Sequence, residues 1–445
     1  MGELKGTFAQ WPRGRWPEQL LGADDHLGVD DLVSLSLLLH FLLLLADRHG
    51  CVRELEGGER ASPLHVLSHF LRDPSDRRPT FPFSGCPKAN ANDDKHNHML
   101  ETILTYPSDQ MEPPTVSTDS IEGDPKYIAP MFPIGPFTKY SGNPILVPDK
   151  KNKFESAYLY NPTAIVLDGK VFMLYRAQDD SLLSSIGLAW STDGYHFTRR
   201  NAPILTATEP WEKGGGTEDP RIIRVDGVFY MTYTAYDTVT ARLCLATSTD
   251  LIHWKKYPPM FPEWVDVVTD LAGNAVTRHN SSKAGAMFPE KGKDGKYAMI
   301  WGEGSFQKAT SSDLINWTSL PYNECFARGV HFWEDRLIEP GHAPIKTRDG
   351  KWILIYNGAT TGRGIYPKNQ YSVGQMLIDY DHLDKGPVAR LEAPLLVPSA
   401  PNEEIGQVNQ VVFAEGLVQF KEKWFLYFGQ SDSELGVATA DVQSL

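Results

Sequence analysis

The sequence predicts an all-β protein: a five-bladed β-propeller with an N-terminal extension that is partly helical or disordered. Two observations support this prediction. A unit of apolar strands and turn residues recurs five times after residue 128, at intervals of roughly 55 to 75 residues. No amphipathic segment of helix length competes with the strands beyond residue 160. Four-stranded units repeated in this way are typical of propellers, because closure in the round leaves few strand edges exposed.

The first unit shows the pattern in full. Residues 161–176 contain a strand, an Asp-Gly turn and a second strand, and residues 186–197 add a third strand, a turn and a short fourth strand. Asp-Gly between two apolar runs is a hairpin signal. The same arrangement returns four times, in residues 219–254, 286–317, 343–379 and 411–441.

The chain before the repeats has a different character, and we divide the protein into residues 1–125, an extension and linker, and residues 126–445, the propeller. Residues 32–46 form an apolar run, which is shorter than the roughly 20 residues of a membrane helix. We interpret it as a buried or partner-seeking helix, with a signal anchor and an unfolded stretch as alternatives. Residues 72–124 are rich in Pro, Asp, Asn and Ser, as in a linker. The pair His96 and His98 lacks a third ligand, so we expect no metal there.

Net charge and cysteine content argue against several classes of partner and site. The formal net charge of -13 argues against nucleic acid or an anionic membrane as the main partner. The four cysteines are scattered without a CxxC pair, which favours neither a zinc site nor a disulfide framework. No convincing signal peptide is present, so a cytoplasmic location is favoured, although Asn280 and Asn316 are glycosylation acceptors if the chain is secreted. We expect no metal and no organic cofactor, and the oligomeric state stays open.

Propellers bind ligands at the central channel, where the inner strands of all blades begin, and polar residues recur near that point in every unit. One stretch is especially dense: three glycines lead into Glu218, Asp219, Pro220 and Arg221. The full set of candidates is Asn161, Arg176, Asp179, Asp180, Glu218, Asp219, Arg221, Lys283, Glu290, Glu303, Glu339, His342, Asn409 and Asp432. Taken singly, each is more ordinarily a solvated or capping group. Together they predict a carboxylate-rich funnel, which suits glycoside chemistry with one acid and one base.

These residues resemble glycoside hydrolase family 130, the β-mannoside phosphorylases and β-1,2-mannosidases, over about residues 130–445. The resemblance depends on a set of motifs: Asn161-Pro, Tyr175-Arg176, residues 186–194, Gly-Thr-Glu-Asp-Pro-Arg-Ile at 216–222, Met-Phe-Pro-Glu-Lys at 287–291, Pro344-Ile-Lys and Gly429-x-x-Asp432. The family fold is a five-bladed propeller, in agreement with the repeat count.

The resemblance also implies roles. The family's proton donor falls on Asp219, and in the phosphorylases this acid is thought to act through a sugar hydroxyl. The mannose-binding residues fall on Asn161, Arg176 and Asp432. The neighbouring Glu218, Arg221 and His342 complete the expected substrate-binding set.

Two departures from the phosphorylases suggest hydrolysis. Where resembling phosphorylases carry His-Arg and a lysine for phosphate, this chain has Trp301-Gly-Glu303 and Glu339. Carboxylates repel a phosphate dianion but can activate a water. We therefore expect an inverting β-mannosidase that acts on an oligosaccharide or glycoside, with β-1,2-linked mannose favoured. Glu303 and Glu339 would converge on one water, roughly 6.5–9.5 Å across the pocket from Asp219.

Two rival interpretations stay open from the sequence. A phosphorylase would use Lys283 and Arg278 as its remaining phosphate ligands. A non-catalytic sugar-binding propeller is the alternative from another class, and the presence of Asp219, Glu303 and Glu339 together counts against it.

Overall fold

Residues 112–443, which a computed structural model describes, form an all-β fold with few helices. The expected helix at residues 32–46 and the pair His96 and His98 lie outside these residues. Among the residues described, no helix is long and apolar enough to cross a membrane. Cys244 is buried and Cys325 is partly buried, and both are free thiols.

The strands form successive antiparallel meanders. A first short strand, β1, is Thr138–Lys139. The first meander contains β2 (Tyr158–Leu167), β3 (Lys170–Gln178), β4 (Ser184–Ser191) and β5 (Thr198–Arg199). The second contains β6 (Gly216–Val225), β7 (Val228–Tyr236), β8 (Ala241–Ser248) and β9 (Lys255–Lys256). A separate hairpin follows, made of β10 (Val265–Thr269) and β11 (Ala275–His279).

Three further meanders complete the fold. The third contains β12 (Gly285–Met287), β13 (Tyr297–Trp301), β14 (Ser305–Ser311), β15 (Thr318–Ser319) and the added β16 (Ala327–Arg328). The fourth contains β17 (Leu337–Pro340), β18 (Ile345–Lys346), β19 (Trp352–Ala359), β20 (Tyr371–Ile378) and β21 (Ala389–Arg390). The fifth contains β22 (Val412–Phe420), β23 (Lys423–Gln430) and β24 (Glu434–Asp441).

Helical segments within the described residues are short. The 3₁₀ segments are Lys153–Glu155, Pro210–Glu212, Tyr322–Glu324, Phe332–Glu334 and Tyr380–Lys385, and the α-helix is Pro401–Glu404. The expectation that strands dominate beyond residue 160 is therefore confirmed. The hairpin β10–β11 was not predicted, because its sequence has little apolar periodicity and all five residues of β11 are exposed.

Each meander packs against the next through its own apolar core. Five clusters of buried side chains each combine residues from two consecutive meanders, and the last joins the fifth meander to the first. One pair from each cluster illustrates this: Phe172 with Phe229, Leu243 with Met299, Ile300 with Leu354, Ile355 with Leu426, and Phe425 with Met173. The N-terminal strand β1 pairs with β24 and supplies the fourth strand of the last sheet.

The predicted turns lie where the sequence places them. Asp168 and Gly169 join β2 to β3 with positive φ at both residues, and Asp226 and Gly227 repeat this between β6 and β7. Positive φ at both central residues is the requirement of a type I′ turn, which Asp-Gly meets at low cost.

Part of the predicted linker belongs to the folded region. Val116 is buried in the core between the first two meanders. Arg224 Nη1 donates to the carbonyl of Ser120 at 2.6 Å, and the backbone of Glu122 forms an isolated antiparallel β-bridge with Leu167. These contacts place ordered chain before the expected boundary at residue 126.

A buried glutamate braces four of the five meanders. Glu155, Glu212, Glu334 and Glu403 are almost fully buried at the short helices, and each pairs with a cation: Arg199, Lys256, Arg390 and Lys139 respectively. In the second meander, Glu212 also accepts a hydrogen bond from Tyr233 Oη at 2.8 Å.

We expect Glu212→Ala to lower the free energy of unfolding by about 3 to 5 kcal/mol, because it leaves the Lys256 ammonium buried without its partner. Lys256 Nζ lies 2.6 Å from Glu212 Oε2. Denaturant unfolding measures the change, and the exposed Glu263→Ala is the matched control. Equal unfolding midpoints for the two variants would contradict this structural role.

Candidate active site

One polar residue stands at a comparable point on the inner strand of each meander. Asn161, Asp219 and Glu415 lie where the pairing of β2, β6 and β22 with the next strand shifts register. Lys283 lies just before β12, where the amide of Gly302 donates to two consecutive carbonyls, and Glu339 lies in β17 before Pro340. We call these five residues the inner-strand cluster. Bulges re-aim side chains, and here they turn polar groups out of apolar strands.

Asp219 is the centre of the inner-strand cluster. Its side chain is fully buried, and its Oδ1 accepts hydrogen bonds from Asn161 Nδ2 at 2.7 Å and Arg176 Nη1 at 3.1 Å. Its Oδ2 lies 3.3 Å from Lys283 Nζ and has no hydrogen-bond partner within the described residues. Asp219 has φ of 51°, as Asn161 has 52°, so both residues take the left-handed conformation that the bulges impose.

The surrounding cations keep Asp219 ionised. Burial alone would raise the pKa of Asp219, but Lys283, Arg176 and Arg221 hold it well below its usual range. Burial would likewise lower the pKa of Lys283, yet the nearby carboxylates Glu339 and Asp219 raise it well above its ordinary value. Lys283 is thus a permanent cation between two carboxylates, 3.5 Å from Glu339 Oε1.

Glu218 and Asp432 lie near Asp219, and their carboxyl groups have raised pKa values where that of Asp219 is lowered. Glu218 Oε1 accepts a hydrogen bond from Arg176 Nη2 at 2.6 Å, and burial raises its pKa to about 7. Burial also raises the pKa of Asp432 to about 6, with Arg176 opposing the shift. The Arg176 guanidinium lies 4.4 Å from the ring centroid of Tyr160, which fixes it from the other side. The structure therefore brings Asn161, Arg176, Glu218, Asp219 and Asp432 together.

Glu303 belongs to a neighbouring group of charges. Its Oε2 lies 2.5 Å from Arg278 Nη1, on the hairpin β10–β11, and its side chain is 12% exposed. Burial would raise the pKa of Glu303, but Lys283, Arg278 and Arg336 lower it overall. Asp266, paired in register with Arg278, has its pKa raised to about 7 by burial and by Glu303. Glu303 is thus an ionised carboxylate with partial access to solvent.

The expected placement of Glu339 is wrong. One carboxylate oxygen from each of Asp219, Glu339 and Glu415 lies within 4.8 Å of the others, so Glu339 stands beside Asp219 and not across a water-filled gap. The physical reason is charge: Lys283 and Arg221 lie between these carboxylates and draw them together. The group between Glu339 and Asp219 is an ammonium, where we expected a water.

The structure places Arg221 and His342, which were expected to bind substrate, in two different surroundings. Arg221 is 2% exposed, and its nitrogens bond to the carbonyls of Asp219, Pro340 and Gly341 and to Glu339. His342 lines a separate recess of about 620 Å³ whose walls include none of the inner-strand cluster. Burial lowers the pKa of His342 to about 4, so it is neutral there.

The four other candidates make local contacts or are exposed. Asp179 Oδ1 accepts from the amides of Ser181 and Leu183, and Asn409 Oδ1 accepts from the amide of Gly406. Glu290 pairs with Lys346 at the separate recess. Asp180 is exposed, 3.7 Å from Lys150.

Sequence reasoning missed Glu415, Asp266, Arg336 and Tyr371. Glu415 is fully buried in β22, and Tyr371 Oη accepts from Arg336 Nη2 at 2.6 Å beside Glu303. A signal for Glu415 exists: it is the only charged residue in the apolar run 411–418, at the point of β22 that matches Asp219 in β6.

The three carboxylates Asp219, Glu339 and Glu415 are the described residues whose spacing would allow them to hold a metal ion. Arg221 Nη2 lies 2.6 Å from Glu415 Oε1, and Lys283 contacts the other two. Positive charge is therefore already supplied by side chains at this point.

Comparisons with known proteins identify the family of this chain. Residues 138–445 match the family model of glycoside hydrolase family 130, described as beta-1,4-mannooligosaccharide phosphorylase. A 1,2-beta-oligomannan phosphorylase of Thermoanaerobacter sp. (strain X514) is 31% identical over 69% of this chain and 98% of its own length.

Two solved structures are also similar. One belongs to work on glycoside hydrolases within the GH130 family of mannoside phosphorylases, which target beta-1,2 mannosidic linkages in Candida mannan. It is 33% identical, with a TM-score of 0.63 over 72% of this chain and 99% of that chain. A glycosyl hydrolase from Bacteroides ovatus is 33% identical, with a TM-score of 0.62 over 70% of this chain and 96% of that one. On the match over residues 138–445, this chain belongs to glycoside hydrolase family 130.

Proposed function

We propose that the five meanders close into a five-bladed propeller whose central pocket hydrolyses β-linked mannosides, with β-1,2-linked mannose as the favoured substrate. The ring arrangement is supported by contacts between consecutive meanders: β2 lies against β6 and β22, β6 against β12, β14 against β17, and β19 against β22. In such a ring the inner-strand cluster converges on the axis, where propellers bind their ligands.

The observation that supports hydrolysis over phosphorolysis is that the cations suited to binding phosphate are already paired with carboxylates. Arg278 pairs with Glu303, and Lys283 lies between Asp219 and Glu339. A phosphate dianion would have to displace Glu303 from Arg278, whereas a water needs no such exchange.

In the proposed mechanism Asp219 delivers the proton to the leaving oxygen. Asp219 is ionised in the free protein, so it takes up a proton from solvent as the substrate binds. It then passes this proton to a sugar hydroxyl while that hydroxyl gives its own proton to the leaving oxygen, and Asp219 is ionised again after the step. Glu303, ionised and partly accessible, removes a proton from the attacking water. Asn161 Oδ1 is buried without a hydrogen-bond partner among the described residues and can accept a hydrogen bond from a mannosyl hydroxyl, beside Arg176 and Asp432. Asp219 Oδ2 is paired with Lys283 Nζ at 3.3 Å.

Incubation with β-1,2-mannobiose, with and without inorganic phosphate, tests this function. We expect mannose as the product at the same rate in both conditions. The Asp219→Asn variant is the control for contaminating activity. Stoichiometric consumption of phosphate with release of mannose 1-phosphate would establish phosphorolysis, and a bound but uncleaved sugar would favour a binding protein.

Phosphorolysis is the second candidate, supported by the curated phosphorylase that is 31% identical. The local observation in its favour is that Lys283, Arg278 and Arg336 all act on Glu303 from one region. That region would accept phosphate if Glu303 moved away or took up a proton.

A further inference from the structure

We propose that Glu415 is a positioning residue for the reaction at Asp219: as the buried counter-ion of Arg221, it keeps the Arg221 guanidinium clamped on the backbone of Asp219. The inference rests on the proposed function in taking Asp219 as the acid. It adds a residue on the fifth meander that acts through Arg221.

The clamp begins with Arg221, which joins two meanders. Its Nη1 donates to the carbonyl of Asp219 at 3.1 Å, and its Nη2 donates to the carbonyl of Pro340 at 2.8 Å and to Glu339 Oε1 at 3.2 Å. Its Nε donates to the carbonyls of Pro340 and Gly341. One guanidinium therefore fixes the backbone beside two carboxylates of the inner-strand cluster.

Asp219 needs such support. The pairing of β6 with β7 skips from Glu218 to Arg221, so Asp219 has no partner across the sheet. Its φ of 51° is costly for a residue other than glycine and persists only when the surroundings over-determine it. The bond from Arg221 to the Asp219 carbonyl replaces the missing pairing and sets the direction in which the carboxylate points.

Glu415 supplies the charge that holds Arg221. Its side chain is fully buried, its Oε1 lies 2.6 Å from Arg221 Nη2, and neither oxygen has a well-aligned hydrogen-bond donor within the described residues. The other charged groups that face it are Asp219, Glu339 and Lys283. Burial raises the pKa of Glu415 well above its ordinary value, and Arg221 is the first group that opposes this rise. The 2.6 Å contact with the Arg221 guanidinium is therefore what favours the ionised form. A carboxyl so placed balances the charge of the buried guanidinium.

The test compares Glu415→Gln with Glu212→Gln, a control in which an equally buried glutamate outside the inner-strand cluster loses its charge beside Lys256. Total cleavage of β-1,2-mannobiose is measured, whichever product forms, as are thermal unfolding and the kcat–pH profile. We expect Glu415→Gln to lower kcat by about 10- to 100-fold with KM changed less than about threefold, because the acid is misplaced. Its alkaline kcat limb should move to lower pH, since one negative charge beside Asp219 is gone. Glu212→Gln should lower stability and leave both readouts unchanged.

A second variant, Arg221→Lys, changes the guanidinium itself and leaves Glu415 in place. It keeps the charge but cannot reach the three carbonyls, so we expect the same fall in kcat. Because both variants break one clamp, the double variant should lose no more than the single variants. Three outcomes would overturn the inference. Arg221→Lys could keep the wild-type kcat, the losses could multiply in the double variant, or Glu212→Gln could lose as much kcat as Glu415→Gln. If Glu415→Gln does not fold, Arg221→Lys alone decides. A wild-type protein inactive on every β-mannoside overturns the proposed function instead.

Discussion

Asp219→Asn should reduce turnover of an unactivated β-mannoside by about 10²- to 10⁴-fold, the usual contribution of a positioned general acid. The substitution keeps size and shape, so the amide oxygen can still accept from Asn161 Nδ2 and Arg176 Nη1. What is lost is the ability to carry a proton. Steady-state kinetics on β-1,2-mannobiose measures the fall, and circular dichroism establishes that the fold is retained.

The leaving group sharpens this prediction. The dinitrophenolate group of a dinitrophenyl β-mannoside leaves without being protonated. If Asp219 acts as the acid, we therefore expect Asp219→Asn to lose much less of its rate on that substrate. Asp180→Asn, which removes an exposed carboxylate outside the inner-strand cluster, is the matched control and should behave as wild type. Equal losses of Asp219→Asn on both substrates would assign Asp219 to binding.

Glu303→Gln should lower hydrolysis by an order of magnitude or more, because it removes the charge that favours proton abstraction from water. Glu303 is the carboxylate near Lys283 that retains some exposure and has its pKa lowered, as a base at neutral pH requires. Added azide should restore part of the rate of Glu303→Ala, since azide attacks without losing a proton.

The control for Glu303 is Glu290→Gln, in the same stretch of chain but at the separate recess. We expect it to keep the wild-type rate within about twofold. A Glu303→Gln variant as active as Glu290→Gln would remove Glu303 from the mechanism. Mannose 1-phosphate formed only by Glu303→Gln would show that its carboxylate occupies the place of phosphate at Arg278.

Local signals determined most of the fold. Asp-Gly turns between apolar runs predicted the hairpins β2–β3 and β6–β7, because turn type depends on neighbouring residues. The same local reading located Asp219, since a Glu-Asp-Pro-Arg stretch at the mouth of an apolar strand is unusual wherever it folds. It missed the hairpin that carries Arg278, whose sequence has little apolar periodicity.

The tertiary structure alone decided which charges meet. Glu339 was expected to face Asp219 across a water, yet Arg221 and Lys283 draw the two carboxylates together from different meanders. Glu415, more than 190 positions from Asp219 in the chain, was hidden in an apolar strand. Sequence patterns report the periodicity of one strand, whereas the energy of a buried charge depends on partners that only the packing of all five meanders brings within a few ångströms.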